Sequence, residues 1–156
     1  MSELGLTNIE LMDLAKENDI QLDNVIMMDE VLKLNKNKNH NLIVNLQNTG
    51  QGGSHWVCLI IRGKKWLYID SFGGCPHPII IKQCLKNKYQ LGYSAYICQD
   101  LKSQRCGYYS LQSIKHLQNS DEKDLFDNAN TYVNKYEPNR LENEKILMKM
   151  FKKKRK

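Results

Sequence analysis

No stretch of the sequence approaches the roughly 18 consecutive apolar residues that a membrane-spanning helix needs. The opening residues, Met1-Ser2-Glu3-Leu4-Gly5, have neither a basic nor an apolar leader segment. A membrane-embedded or secreted protein is therefore not expected. No C-x-x-C pair occurs and the four histidines are scattered, which leaves no spacing suited to zinc. The cysteines, Cys58, Cys75, Cys84, Cys98 and Cys106, are odd in number. In a chain without a leader that argues for free thiols over a disulfide framework. There is no internal repeat.

What is present suits one globular domain, expected over residues 1–151 of the 156. The formal net charge of +6 is concentrated in Lys152, Lys153, Lys154, Arg155 and Lys156. This basic tail, residues 152–156, is suited to DNA contact, nuclear targeting or simple solvation of a helix end.

Thr7-Asn8-Ile9-Glu10 reads as a capping box, with Ile9, Leu11, Met12 and Leu14 forming the stripe of a helix that ends near Asn18. Residues 29–41 read as a polar connection. Strands are expected at 42–46, 55–61 and 66–70, the last two joined by a turn at Arg62-Gly63-Lys64-Lys65. A helix is expected over about 79–88 and a further strand from Tyr93 to Cys98. Tyr109, Leu111, Ile114 and Leu117 form a helical stripe after Cys106. Two more helices are expected, one capped by Ser120 and one opening with Pro138 at its first position. The fold class is α+β: a small, mainly antiparallel mixed sheet with packed helices.

Four residues sit at element ends, where side chains can face a cleft. Cys106 opens a helix, whose free amides and partial positive charge favour a thiolate. Gly107 after it permits close backbone approach. His55 enters a strand, and Asp70 ends the strand that should pair with it. The hairpin places His55 opposite roughly position 71, so a carboxylate at Asp70 can orient the imidazole. Gln99 or Gln104 can donate to an oxyanion; spacing within one sequence leaves both open. Each residue also has a plain structural reading: a buried thiol, a strand-end histidine, a turn-capping aspartate.

Gly52-Gly53-Ser54-His55-Trp56, Tyr68-Ile69-Asp70-Ser71-Phe72-Gly73 and Gln99 through Tyr109 together resemble the adenovirus-type maturation protease, adenain. That enzyme belongs to the superfamily of the SUMO and NEDD8 proteases, and the compact forms from virophages and Maverick/Polinton elements are most similar. The resemblance spans roughly residues 42–118. It implies a papain-like, adenain-like fold and a cysteine endopeptidase with His55 as base, Asp70 as orienting acid and Cys106 as nucleophile. It places Gln99, not Gln104, at the oxyanion. Gly53, Trp56 and Gly107 become substrate-binding residues, with Trp56 roofing a channel that admits Gly-Gly or Gly-X.

The implied function is cleavage of capsid and virion precursor proteins during maturation, by a monomer in the virion or the virus factory. The alternatives are removal of ubiquitin-like modifiers from host proteins, and a non-enzymatic DNA-binding virion protein. No cofactor is required. Adenain is activated by DNA and by a disulfide-linked peptide. None of Cys58, Cys75, Cys84 or Cys98 aligns with its cofactor cysteine, so peptide activation is not carried over; a DNA or peptide activator remains open.

Overall fold

The computed structural model describes residues 5–35, 37–47, 55–100, 102–119 and 124–152. Helix α1 spans Asn8–Glu17. The Glu10 amide donates to the Thr7 hydroxyl and the Thr7 amide to the Glu10 carboxylate, each at 3.1 Å, so two orphan donors of the first turn are satisfied as the sequence predicts. Leu11, Leu14 and Ala15 turn inward, while Ile9 of the predicted stripe is exposed.

Five strands follow in chain order: β1 (Asn24–Met27), β2 (His40–Asn45), β3 (Trp56–Arg62), β4 (Lys65–Ile69) and β5 (Gln90–Ser94). They lie side by side in that same order. Both inner ladders are antiparallel, and both outer ones, β1–β2 and β4–β5, are parallel. The apolar run of β3 is explained by burial on two faces. Cys58 and Ile60 join the core beneath α1 and the later helices, while Val57, Leu59 and Ile61 join the opposite core. That second core is covered by α2 (Pro78–Asn87) and a 3-10 helix, Met28–Lys33.

Helices α3 (Cys106–Asn119), α4 (Leu125–Val133) and α5 (Arg140–Lys152) complete the first layer. Four expectations shift. Residues 29–41, expected as a polar connection, hold most of the 3-10 helix, with Val31 buried, and the start of β2. The strand expected from Tyr93 to Cys98 lies at Gln90–Ser94, since the chain then leaves the sheet and the amides of Cys98 and Gln99 both turn to the Ser71 carbonyl. Helix α4 is capped by Asp124, which accepts from Phe126 and Asp127; Ser120 lies outside the described residues. Helix α5 begins at Arg140, with Asn139 accepting from the amides of Leu141 and Glu142. Pro138 therefore precedes the cap, where its fixed φ does not enter the helix. Lys153, Lys154, Arg155 and Lys156 lie outside the described residues; Lys152 closes α5.

Candidate active site

The β3–β4 hairpin determines which side chains meet at its open end. Arg62 pairs with Lys65 and Cys58 with Ile69, one residue further along than the sequence reading placed them. Continued outward, this register sets His55 opposite Phe72, and the two rings pack with centroids 4.9 Å apart. Asp70 still reaches His55, because the chain turns immediately after β4. The Gly73 amide donates to the Asp70 carbonyl at 2.8 Å, and the Phe72 amide donates to Asp70 Oδ1 at 2.8 Å. The same Oδ1 accepts from His55 Nε2 at 2.7 Å. The turn-capping and imidazole-orienting roles of Asp70 are thus held together in one oxygen.

Gly73 adopts φ +71°, and a Cβ there would stand 2.6 Å from the Ala95 carbonyl oxygen. A left-handed backbone and a clash with main chain act in the same direction. We expect Gly73→Ala to destabilise the protein by about 2–4 kcal/mol, read as a lower midpoint in urea. An unchanged midpoint would show that the turn adapts.

Cys106 is the first residue of α3, as expected, and is 6% exposed. The Trp56 backbone amide donates to its sulfur at 3.4 Å. His55 interacts with the thiol as well as with Asp70; with Nε2 taken by Asp70, Nδ1 is the nitrogen left for the sulfur. Burial alone lowers the basicity of this imidazole. The hydrogen bonds and negative charges of Asp70 and Cys106 outweigh it and raise the pKa from 6.5 to about 9. An imidazole that keeps its proton beside a thiol is the setting for an imidazolium–thiolate pair. Burial pushes the thiol of Cys84 up to about 11 and that of Cys98 up to about 12, and raises Cys58 further still. All five cysteines are free.

The segment carrying Cys106 is held from behind by α5. The amide of Asn143 donates to the Cys98 carbonyl at 3.1 Å, and Glu144 accepts from the Tyr109 hydroxyl and lies 3.9 Å from Arg105.

His55, Trp56, Phe72 and Cys106 line a cleft of about 580 Å³ with Gln104, Ser103, Asn45, Val25, Ile26, Met27 and the segment Gly5–Asn8. Trp56 forms part of the wall and pins that segment, its Nε1 donating to the Leu6 carbonyl at 2.8 Å. Gln104 pins it too, accepting from the Gly5 amide at 3.1 Å. Gln99 is placed differently. It is fully buried, does not line the cleft, and its amide is fixed at both ends: Oε1 accepts from the Ser71 hydroxyl at 2.5 Å and Nε2 donates to the Ser103 carbonyl at 3.0 Å. Gly107 faces inward; a Cβ there would meet Leu11 at 2.9 Å and Leu6 at 3.3 Å. The close approach it permits is that of α1 and the segment before it. Gly53 lies outside the described residues.

Sequence reasoning did not single out Phe72 as the packing partner of His55, Ser71 as the hydroxyl that locks Gln99, or Gly5–Asn8 as a cleft wall. Phe72 and Ser71 follow Asp70 directly, so the turn itself was the available signal; nothing local marks Gly5 or Leu6. Among the described residues no group of three His, Cys, Asp or Glu side chains could hold a metal ion. No described helix is long and apolar enough to cross a membrane.

No protein-family model and no curated protein matches the sequence. Among solved structures, the chain is similar to a protease of ASFV at 17% identity and a TM-score of 0.49, covering 85% of this chain and 67% of that one. A selenomethionine form of an ASFV protease is similar at 16% identity and a TM-score of 0.44, covering 87% and 69%.

Proposed function

We propose that the chain is a cysteine endopeptidase with Cys106 as nucleophile, His55 as acid and base, and Asp70 as the group that orients and charges His55. The observation that carries this reading is the contact set around one sulfur: a helix N-terminus, the Trp56 amide at 3.4 Å, and an imidazole held by Asp70 at 2.7 Å, all on an open cleft.

The chemistry follows from those atoms. The Cys106 thiolate attacks the scissile carbonyl carbon, and the electron pair moves to oxygen. The oxyanion is met by the Cys106 amide at the start of α3 and by a glutamine. As the tetrahedral species collapses, His55 gives its proton to the departing amine and the acyl group stays on sulfur. Water, losing a proton to His55, then attacks the thioester; the acid departs and the thiolate returns.

The resemblance, rather than a place in the cleft lining, leads us to assign the glutamine to Gln99. Its Nε2 carries a second hydrogen beyond the one given to Ser103, and the Ser103 carbonyl, which can only accept, fixes which end of the amide is the donor. A donor locked before substrate arrives costs no reorganisation at the moment of reaction. Gln99→Ala is expected to lower kcat by about 10²–10³-fold, and Gln104→Ala to act mainly on KM. The reverse pattern would transfer the oxyanion role to Gln104, which does line the cleft.

The substrate class we propose is virion precursor protein cut after Gly-Gly or Gly-X, supported by the resemblance around His55-Trp56 and Cys106-Gly107 and by the place of Trp56 in the cleft wall. Incubating the protein and its Cys106→Ala variant with the capsid precursors of its source virus, and in parallel with ubiquitin and SUMO conjugates, tests it. Cleavage of precursors by the parent protein alone is the expected result. Cleavage of conjugates alone would make the chain a modifier-removing enzyme.

A further inference from the structure

One polar atom in the cleft has no task in the free protein. Asn45 ends β2, pairs with Trp56 across the ladder and lines the cleft with His55 and Cys106. It is 0% exposed. Its amide is oriented without ambiguity, because the Gln47 backbone amide donates to Oδ1 at 2.9 Å. The other end, Nδ2, is the one buried side-chain nitrogen or oxygen among the described residues with no hydrogen-bond partner.

Burial of an unpaired donor is unfavourable, and folded proteins rarely retain one. Other buried amides here follow that rule: Asn41, Gln99 and Asn143 all donate to protein acceptors. The bond to Gln47 needs only an acceptor oxygen, which the uncharged hydroxyl of serine also supplies. A strand favours valine or threonine at such a position. Neither the turn nor the strand therefore explains a donor at Asn45.

The cleft wall beside it narrows the choice of ligand. Val25, Ile26 and Met27 form an apolar flank. Two backbone donors on that strand are already used, since the Val25 amide donates to Asn24 Oδ1 at 2.8 Å and the Met27 amide to Glu30 Oε1 at 2.9 Å. Among the described residues, Asn45 Nδ2 is the buried side-chain donor on this wall that lacks a bond, and an acceptor that reaches it lies by apolar surface and near the nucleophile. Extended peptides present such acceptors as main-chain carbonyls, whatever their side chains.

We infer that Asn45 is a substrate-binding residue whose Nδ2 donates to a main-chain carbonyl of an extended peptide lying across the cleft beside Cys106. This inference rests on the peptidase reading above.

The test compares two reagents on Cys106. Iodoacetamide reports the reactivity of the thiol alone; a peptidyl vinyl sulfone ending in Gly-Gly also requires the peptide to seat. Both rates are measured by mass spectrometry for the parent protein, Asn45→Val and Asn45→Thr. The two variants have the same shape and suit a strand equally, but only threonine keeps a donor. The ratio of peptidyl to iodoacetamide rate is expected to fall about tenfold or more in Asn45→Val and distinctly less in Asn45→Thr. Equal ratios in the two variants, or a ratio in Asn45→Val equal to that of the parent, would overturn the inference and leave the peptidase reading standing. Iodoacetamide showing no preference for Cys106 over the other four cysteines would overturn the peptidase reading itself, and this inference with it.

Discussion

Cys106→Ala is expected to lower kcat/KM by at least about 10⁴-fold while leaving the fold intact. The size of the effect follows from the site having no substitute nucleophile. Of the other thiols, Cys58, Cys84 and Cys98 are buried with their protons held by desolvation, and Cys75 is exposed outside the residues that line the cleft. Cys106→Ser tests the same point more sharply. It keeps the Trp56 contact but presents a hydroxyl, a far weaker acid than a thiol, which the imidazole must deprotonate during the reaction. Circular dichroism should match the parent protein in both variants. Retention of more than about a tenth of the activity in Cys106→Ala would reduce this residue to a packing role.

The second large effect concerns Asp70. Asp70→Asn keeps a side-chain oxygen for the Phe72 amide and alters the turn little, but it removes the charge that holds the His55 proton. We expect kcat/KM to fall by about 10²–10⁴-fold. The pH profile should change as well. In the parent protein the imidazolium is needed to protonate the leaving amine, so activity declines on the alkaline side as His55 loses its proton near pH 9. Without the Asp70 hydrogen bond and charge, that limb moves towards the ordinary imidazole value of 6.5. Linkage gives stability the same sign. A pKa raised on folding contributes stability in full below about 6.5, and this contribution is lost as pH rises through about 9. The urea midpoint of the parent protein should therefore decline over that window more than that of Asp70→Asn. An alkaline limb that stays near pH 9 in the variant would mean that Cys106 alone holds the proton.

The parts of this site that were legible in the sequence depend on local rules. The capping box at Thr7, the apolar run of β3 with its turn at Gly63, and Cys106 at the head of an amphipathic helix each follow from a short window of residues. A hairpin also has definite partners once its turn is known. His55 and Asp70 could thus be brought together on paper, although the register differed by one residue and the Asp70–Gly73 turn made the contact. The illegible parts depend on distant partners. β1 is four residues long and exists because β2 offers an edge. The 3-10 helix after it covers a core that it shares with α2, about 50 residues later in the chain. Gly107 reads as letting the backbone approach a substrate, whereas the neighbours at its Cα are Leu6 and Leu11, about 100 residues away in the chain. The orphaned end of Asn45 becomes visible only after every neighbour is in place.

Gly5 and Leu6, clasped by Gln104 and Trp56, bear on how the protein is made. Those two contacts span 99 and 50 residues of chain, so the wall they build closes the longest loops at the cleft. During synthesis His55 and Asp70 emerge with their hairpin well before Cys106 and Gln104 leave the ribosome. Until that late segment meets Gly5 and Leu6, the nascent chain holds His55 and Asp70 without Cys106, and a groove without one side. On the proposed peptidase reading, hydrolytic competence would arrive only once that late segment has met Gly5 and Leu6.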